Sequence, residues 1–245
     1  MPNWVYNTLT IQGNKEQVDL IKDKLNQPFK VLHDTWNNET MEMEVKESVY
    51  SAPVFAFWNI HSPLEDGITM QEYVQQPARL GISTDQPDWF AKEIEFAQTQ
   101  KDWYNWNTTN WGTKWDVAVG DGEKYPDTEL LEHESNGEDQ WLVYKYNTAW
   151  SPAVSVLVKL SKLIPTCVLT LEFEEEQGWG GEYEIVNGEV TTKLEYENRC
   201  YACQSFNTLE YDEEKEVEYC IECKEGLPEE LMSVGTDTIT QTKGN

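Results

Sequence analysis

The chain has 245 residues, with 45 acidic against 18 basic side chains, a net charge of −27 and an isoelectric point near 4.3. That balance excludes a broad phosphate-backbone interface, which needs clustered Lys and Arg, and disfavours anionic membrane surfaces; no apolar run reaches the roughly 18 residues of a membrane-spanning helix. With 11 Trp, 12 Tyr and 7 Phe in a chain only 39% hydrophobic, the composition is that of a folded protein whose core is built largely from rings.

The first residues, MPNWVYNTLTIQG, lack a basic region and an apolar stretch, so no secretion signal is expected. Residues 4–11 read as a strand in which Val5, Leu9 and Ile11 recur at period two, with Asn7 on the same face and Gly13 closing it. Asn14 followed three residues on by Gln17 resembles a capping box, and Val18, Ile21 and Leu25 recur at helical spacing up to Pro28, giving a helix over 15–26. Pro53, Pro63, Pro77 and Pro87 cut the next stretch into short pieces. Within it 54–60 reads as a strand or a buried turn, and 69–76 and 89–100 as short helices; about 27–102 is an insertion without an assigned topology. Trp111 to Val119 reads as a strand after a turn, and 120–140 as an acidic, mobile loop.

Residues 141–150 read as a strand. Ser151 before Pro152 predicts an N-cap with Pro at the first helical position, and Val154, Leu157, Val158, Leu160 and Ile164 predict an apolar helix that stops before Pro165. In the strand 167–174, Leu169, Leu171 and Phe173 face the core while Thr170, Glu172 and Glu174 face out; a hairpin opened by Gly180 and Gly181 turns at Asn187-Gly188, the signal for a type I′ turn. This order predicts an α+β fold: a ferredoxin-like split βαββαβ antiparallel sheet with a long helical or irregular insertion. The expected division is a ferredoxin-like domain over 1–197, a four-cysteine module over 198–230 and a flexible tail over 231–245.

Cys200 and Cys203 form one CxxC pair and Cys220 and Cys223 another, with 16 residues between. This spacing predicts a zinc-ribbon-like module, because each short turn aims two thiolates at one ion and two turns complete a tetrahedron. Disulfides need an oxidising compartment, and a thioredoxin-type pair would not come doubled. With four thiolates no position is left for water, so the expected Zn2+ is structural. The intervening segment carries Glu210, Asp212, Glu213, Glu214, Glu216 and Glu218 against Lys215, which repels phosphates. Cys167, at the start of a core strand, reads as a small buried hydrophobe.

Trp103, Trp106, Trp111 and Trp115 fall within thirteen residues, with Tyr104, Asn107, Asn110, Lys114 and Asp116 among them. Such a cluster is either core or a stacking platform for a base or sugar; the core reading makes Trp111, Trp115 and Trp150 mainly buried, and the platform reading makes Trp103, Trp106, Asn107, Trp111 and Lys114 a binding site. The start MPNW-V-YN-L-I-G, the block WYNWNTTNWGTKWD (103–116) and the block YNTAWSPAVSVLVKLSKLIP (146–165) resemble a family of phage and conjugative-plasmid proteins with a YubB-type ferredoxin-like domain. The resemblance covers roughly 1–26 and 103–186, does not reach the four cysteines, and implies a mobile-element protein acting in the cytoplasm of a bacterial host, without catalytic residues to carry over.

His33, His61 and His133 show no metal or catalytic spacing, and no nucleophile elbow, phosphate loop or dinucleotide fingerprint is present. The expectation is a non-enzymatic accessory protein that binds and inhibits or redirects a basic host protein, for instance as an anti-defence inhibitor. Its acidic surface, with Glu174, Glu175, Glu176 and Glu184, would steer the partner or mimic nucleic acid. The alternatives are a nucleic-acid-binding protein that uses the sheet and the Trp cluster as a platform, and an enzyme with its site in that cluster.

Overall fold

The computed structural model describes residues 3–76, 80–81, 83–122, 128–134, 139–213 and 216–226. In chain order the elements are β1 (Trp4–Asn14), α1 (Lys15–Leu25), β2 (Phe29–Asn37), β3 (Glu42–Tyr50), α2 (Met70–Tyr73), α3 (Trp89–Gln98), α4 (Trp103–Asn110) and β4 (Glu129–Glu134). They continue with β5 (Asp139–Ala149), α5 (Val154–Leu163), β6 (Val168–Glu175), β7 (Gly180–Val186), β8 (Glu189–Tyr196), β9 (Leu209–Asp212) and β10 (Val217–Cys220).

Period-two alternation makes β1 the middle of the sheet. Val5, Leu9 and Ile11 are fully buried, and Asn7 shares their face because its amide donates to Thr148 Oγ1 at 2.9 Å and to the Val5 carbonyl at 2.8 Å. A buried amide is tolerated when its donors are spent in this way. β1 pairs antiparallel with β5 on one side and β6 on the other, and the six-stranded order is β4-β5-β1-β6-β7-β8. The four strands β4-β5-β1-β6, with α1 after β1 and α5 after β5, reproduce the split βαβ order of a ferredoxin-like domain, which β7 and β8 extend. Asn14 caps α1 by accepting from the Gln17 N–H at 3.0 Å, and the stripes Val18, Ile21, Leu25 and Val156, Leu157, Leu160 are buried on α1 and α5. At the β7–β8 turn Asn187 and Gly188 both have positive φ, 48° and 87°, as a type I′ turn requires.

Several expectations need correction. Residues 111–119 form no strand, and the edge strand β4 lies instead inside the acidic 120–140 segment, where Glu129 pairs with Lys145 and Leu131 with Val143. The insertion is not only helical: β2 and β3 form an antiparallel hairpin from Phe29↔Tyr50 to Asn37↔Glu42. The segment around Phe55 and Phe57 is a buried turn, whose rings pack on Tyr144 and Tyr146 at 4.8 to 5.9 Å. Ser151 does not cap α5: the N-cap residue is Ala153, in left-handed conformation (φ 53°), and the Ser151 hydroxyl donates to the Gly112 carbonyl. The chain thus turns through Trp150 (φ 70°) and Ala153 before the helix starts, and Pro152 lies outside it.

The described residues divide into two compact units, those within 1–176 and 181–194, and those within 177–180 and 195–226. The expected flexible tail lies outside the described residues. Among the described residues no helix is long and apolar enough to cross a membrane.

Candidate metal centre and aromatic pocket

The second unit carries the four cysteines. Each CxxC pair sits on the same kind of turn. Cys200 N–H donates to the Ser205 carbonyl at 2.9 Å and Gln204 N–H back to Cys200 at 2.8 Å; Cys220 N–H donates to Glu225 at 2.9 Å and Lys224 N–H back to Cys220 at 2.9 Å. Gln204 and Lys224 both take positive φ, 64° and 65°, so the two turns match in conformation. The β9–β10 hairpin joins them, with Cys220 opposite Leu209. All four thiols are free, their sulfurs lie within 4.8 Å of one another, and the Cys200–Cys223 and Cys203–Cys220 separations are 3.6 Å.

Zinc–thiolate bonds of about 2.3 Å in a tetrahedron imply sulfur–sulfur edges of about 3.8 Å, so the four thiols can hold one metal ion. The hydrogen bond between Cys220 Sγ and Thr208 Oγ1 holds the Cys220 thiol down at about 6, and the Ser205 hydroxyl lowers Cys203. The Glu225 N–H lowers Cys223, but desolvation and the three neighbouring sulfurs outweigh it and push Cys223 up to about 12. Four thiols this close do not all ionise unless a cation shares their charge.

The first unit holds the Trp cluster, which divides between two environments. Asp102 caps α4 by accepting from the Tyr104 and Asn105 N–H groups at 3.1 and 3.2 Å, and this turns Trp106 and Asn107 inward. Trp106 is 3% exposed and Trp111 1%. Their indole N–H groups donate to Asp66 Oδ2 at 3.0 Å and to the His61 carbonyl at 2.9 Å. Asn107 accepts from the Tyr73 hydroxyl at 2.8 Å and donates to the Lys114 carbonyl at 2.9 Å.

Trp115 and Trp150, expected to be buried, are 38% and 45% exposed. Together with Trp103 and Tyr104 they surround the Lys114 ammonium, whose Nζ lies 4.4 Å from the Trp115 ring centroid, 5.0 Å from Trp150, 5.9 Å from Tyr104 and 6.0 Å from Trp103. These rings solvate a cation at the surface instead of filling the core.

Beside the cage, between the Trp cluster and the β2–β3 hairpin, lies a cavity of about 680 Å³. Eight rings line it: Trp4, Phe29, Tyr50, Trp58, Tyr73, Trp103, Trp111 and Trp115. Phe29 stacks on Tyr50 at 4.4 Å and on Trp58 at 5.7 Å, and Trp4 leans on Trp115 at 5.9 Å. The polar residues along it include His33, Asp34, Asn107, Asp116 and Asn147. Asp116 is engaged by the N–H groups of Phe57, Trp58, Val117 and Ala118 at 2.7 to 3.2 Å; burial pushes its pKa up and those four donors oppose the shift. His33 lies 3.3 Å from the Ser48 hydroxyl. Asp34 stands opposite Val45 in the register, so its side chain belongs to the hairpin face away from Phe29, Tyr50 and His33.

A third polar cluster involves His61. Its Nδ1 meets the Lys159 ammonium and its Nε2 lies 3.0 Å from Asp66 Oδ1, while Lys159 also donates to Asn110 Oδ1 at 2.9 Å. Desolvation lowers the Lys159 pKa, opposed by Asp66 and Glu65. Each group is spent on the others, and the cluster ties the 61–66 turn to α4 and α5.

Of the acidic residues expected at a surface patch, Glu174 is half-buried on the open side of the sheet, Glu176 is exposed and Glu184 pairs with Lys193 at 3.0 Å. Glu175 is not a surface residue. It is 3% exposed, because its register opposite Val5 turns it to the helix-covered face. His33, Asp34, Trp58 and Tyr73 were not anticipated at a site; no local motif marks them, since the cavity assembles them from separate segments.

The family model described as the ferredoxin-like domain in Api92-like protein matches residues 131–220, from within β4 to the end of β10. No curated protein matches the chain. Among solved structures, the crystal structure of a protein api92 from Yersinia pseudotuberculosis aligns with 82% of this chain and 100% of its own, at 10% identity and a TM-score of 0.39. Residues 131–220 are therefore similar to an Api92-like ferredoxin-like domain, in keeping with the strand order of the sheet.

Proposed function

We propose that the chain is a non-enzymatic binding protein that engages a basic protein partner through the open face of its sheet. The observation that carries this reading is the charge of that face. Core-facing residues alternate with outward ones, so Tyr6, Thr8 and Lys145 look out opposite Glu174 and Glu172. Glu129 stands opposite Lys145 at one edge, and Glu182 and Glu184 continue the face on β7, where Glu184 meets Lys193 of β8. Carboxylates thus outnumber ammonium groups among these outward positions, within a chain of net charge −27. Such a field reaches about a Debye length, roughly 8–10 Å at physiological salt, and speeds encounter with a basic partner more than it tightens the final complex.

The resemblance to mobile-element proteins supports a host protein as the partner, with inhibition of a host defence as one outcome. The nucleic-acid reading draws on Tyr6, the aromatic side chain exposed at 51% on this face, but Glu172 and Glu174 beside it repel phosphates. For the second unit we propose zinc as the ion, in a structural zinc-ribbon role, because four thiolates fill a tetrahedron.

The test uses tagged protein in bacterial lysate, with and without nuclease. The expected outcome is retention of a basic protein that survives nuclease, weakens with salt and is lost with the triple variant Glu172→Lys, Glu174→Lys, Glu184→Lys. Glu175 is left alone because reversing a buried carboxylate would test folding. Retention unchanged in the triple variant, or lost on nuclease treatment, overturns the reading.

A further inference from the structure

The cavity of the first unit carries an inference that does not rest on the charge of the sheet face. We propose that it is a binding site for a neutral heteroaromatic base, a nucleobase presented without phosphate, as the free base or the nucleoside. Its volume, about 680 Å³, is that of a small-molecule site. One side of the wall is a set of near-parallel rings: Phe29 lies at 8° to Tyr50 and at 9° to Trp58, with centroids 4.4 and 5.7 Å apart. Rings set in this way accept a further flat ring face to face, whichever base it belongs to.

The charges along the wall call for no ion. Asp34 belongs to the other face of the hairpin, and the Asp116 carboxylate is held by four backbone N–H groups. The Lys114 ammonium already sits on the Trp103 and Trp115 rings and does not line the cavity. No Lys or Arg is among the described residues of the wall, so nothing balances a phosphate or a carboxylate, and the chain's net charge of −27 repels both. The occupant is therefore neutral.

The hydrogen-bonding groups left over suit the edge of a flat ring. Asn147 shares its face of β5 with Ala149, whose cross-strand partner is Trp4, and all three line the cavity. The Asn147 carboxamide has no partner among the described residues and can donate and accept side by side, as a base edge requires. Trp58 is 7% exposed, and its indole N–H also lacks a partner among the described residues, without being sealed inside the wall as the Trp103 N–H is. Asn107 and Tyr73 are spent on each other, and Asn107 also on the Lys114 carbonyl. A sugar, with a hydroxyl on nearly every carbon, would leave several of them unpaired against such a wall. A base hides its faces between rings and keeps its polar atoms on its edge.

The experiment measures adenosine, guanosine, cytidine and uridine against 1-methylindole, a neutral flat ring without a polar edge, and methyl glucoside, a neutral polyol, by tryptophan fluorescence and protein NMR on the full chain. At least one nucleoside is expected to bind about tenfold or more tighter than both comparators, and its monophosphate to bind more weakly than the nucleoside itself. Asn147→Ala should weaken that nucleoside about fivefold or more and leave 1-methylindole within about twofold. Trp58→Phe, which keeps a ring and deletes the N–H, should also weaken it while the NMR spectrum keeps its folded dispersion. No preference for any nucleoside over 1-methylindole or the glucoside, a monophosphate that binds tighter than its nucleoside, no binding of any nucleoside, or unchanged nucleoside affinity in either folded variant each overturns the proposal.

Discussion

The two units hold themselves together by different means. In the first, an antiparallel sheet buries Leu9, Ile11, Leu142, Tyr144, Tyr146, Leu169 and Leu171 beneath α1, α5 and the Phe55–Phe57 turn, all below 2% exposure. In the second, the fully described side chains that are buried are few, Tyr196, Cys200, Thr208 and Cys220, while Tyr201 and Tyr211 are 80% and 60% exposed and Ile221 40%. A segment this short cannot offset the entropy of ordering its backbone with that little burial. The first unit is thus a core in the usual sense, and the second is a pair of turns and a hairpin whose organising contact is the four-sulfur cluster.

The sharpest way to break the contrast is to deny the four thiols the zinc proposed for them. Structural zinc in cysteine modules contributes about 10–16 kcal/mol of apparent binding free energy near neutral pH, and that energy is folding energy. Chelation, or Cys220→Ser, is expected to abolish amide-exchange protection across residues 199–226 while protection in β1, β5 and β6 stays at its original level. Acidification should release the ion in the same way, because protons compete for the thiolates. Elemental analysis of freshly purified protein should find about one equivalent of zinc; protein that is stable in the second unit yet free of zinc, iron and cobalt would show that the turns stand without an ion.

Within the first unit the contrast recurs between two indoles. Trp111 is 1% exposed and its N–H is bonded to the His61 carbonyl. Trp111→Ala is expected to cost about 3–5 kcal/mol, the range for deleting a buried ring. Trp115 is 38% exposed and packs against an ammonium at the surface. Trp115→Ala is expected to cost about 1 kcal/mol or less, as partly exposed sites do. Urea denaturation of the two variants decides it. Equal losses would mean that the surface cage is as much a part of the core as Trp111.

How far the sequence reveals this architecture follows from where its signals are local. β1, α1, β6 and the Asn187-Gly188 turn were legible because alternation, the Asn14 cap and the turn dipeptide each act over a few residues. β2 and β3 were not. They pair only with each other, both faces are half-exposed, and Lys30, Asp34, Glu44 and Lys46 interrupt any apolar alternation. Their pairing rests on cross-strand contacts such as Lys30–Glu47 at 2.7 Å and Asn37–Glu44 at 2.9 Å, which appear only once the register is known. α4 has a poor helical composition and depends on the Asp102 cap and on burial of Trp106. The same logic separates the sites. The cysteine cluster is written in a spacing, whereas the cavity is assembled from residues as distant as Trp4, Asp34, Trp58, Trp115 and Asn147.

The smallest expected effect concerns how that cavity wall is fastened. α2 is a single turn, and its Tyr73 both lines the cavity and donates to Asn107. What holds the turn is a capping box. Glu72 N–H donates to Thr69 Oγ1 at 3.2 Å, the Glu72 carboxylate accepts from Thr69 N–H at 2.9 Å, and its other oxygen meets Lys101 Nζ at 3.0 Å. The Thr69 N–H, with help from Lys101 and the Thr69 hydroxyl, lowers the Glu72 pKa from 4.5 to about 2. A carboxylate depressed in the folded state contributes stability that is complete above its unfolded pKa and is lost as pH falls through the folded one. The fastening should therefore be intact at pH 5 and loosen between 4.5 and about 2. An NMR titration of the Glu72 carboxyl is expected to show a midpoint near 2, and the Tyr73 amide should lose exchange protection over the same range. Glu72→Gln, which keeps an acceptor but cannot ionise, should flatten that pH dependence. A midpoint near 4.5 would mean that solvent, and not the capping box, sets the charge of Glu72, and that Tyr73 is held in the wall by Asn107 and its ring contacts alone.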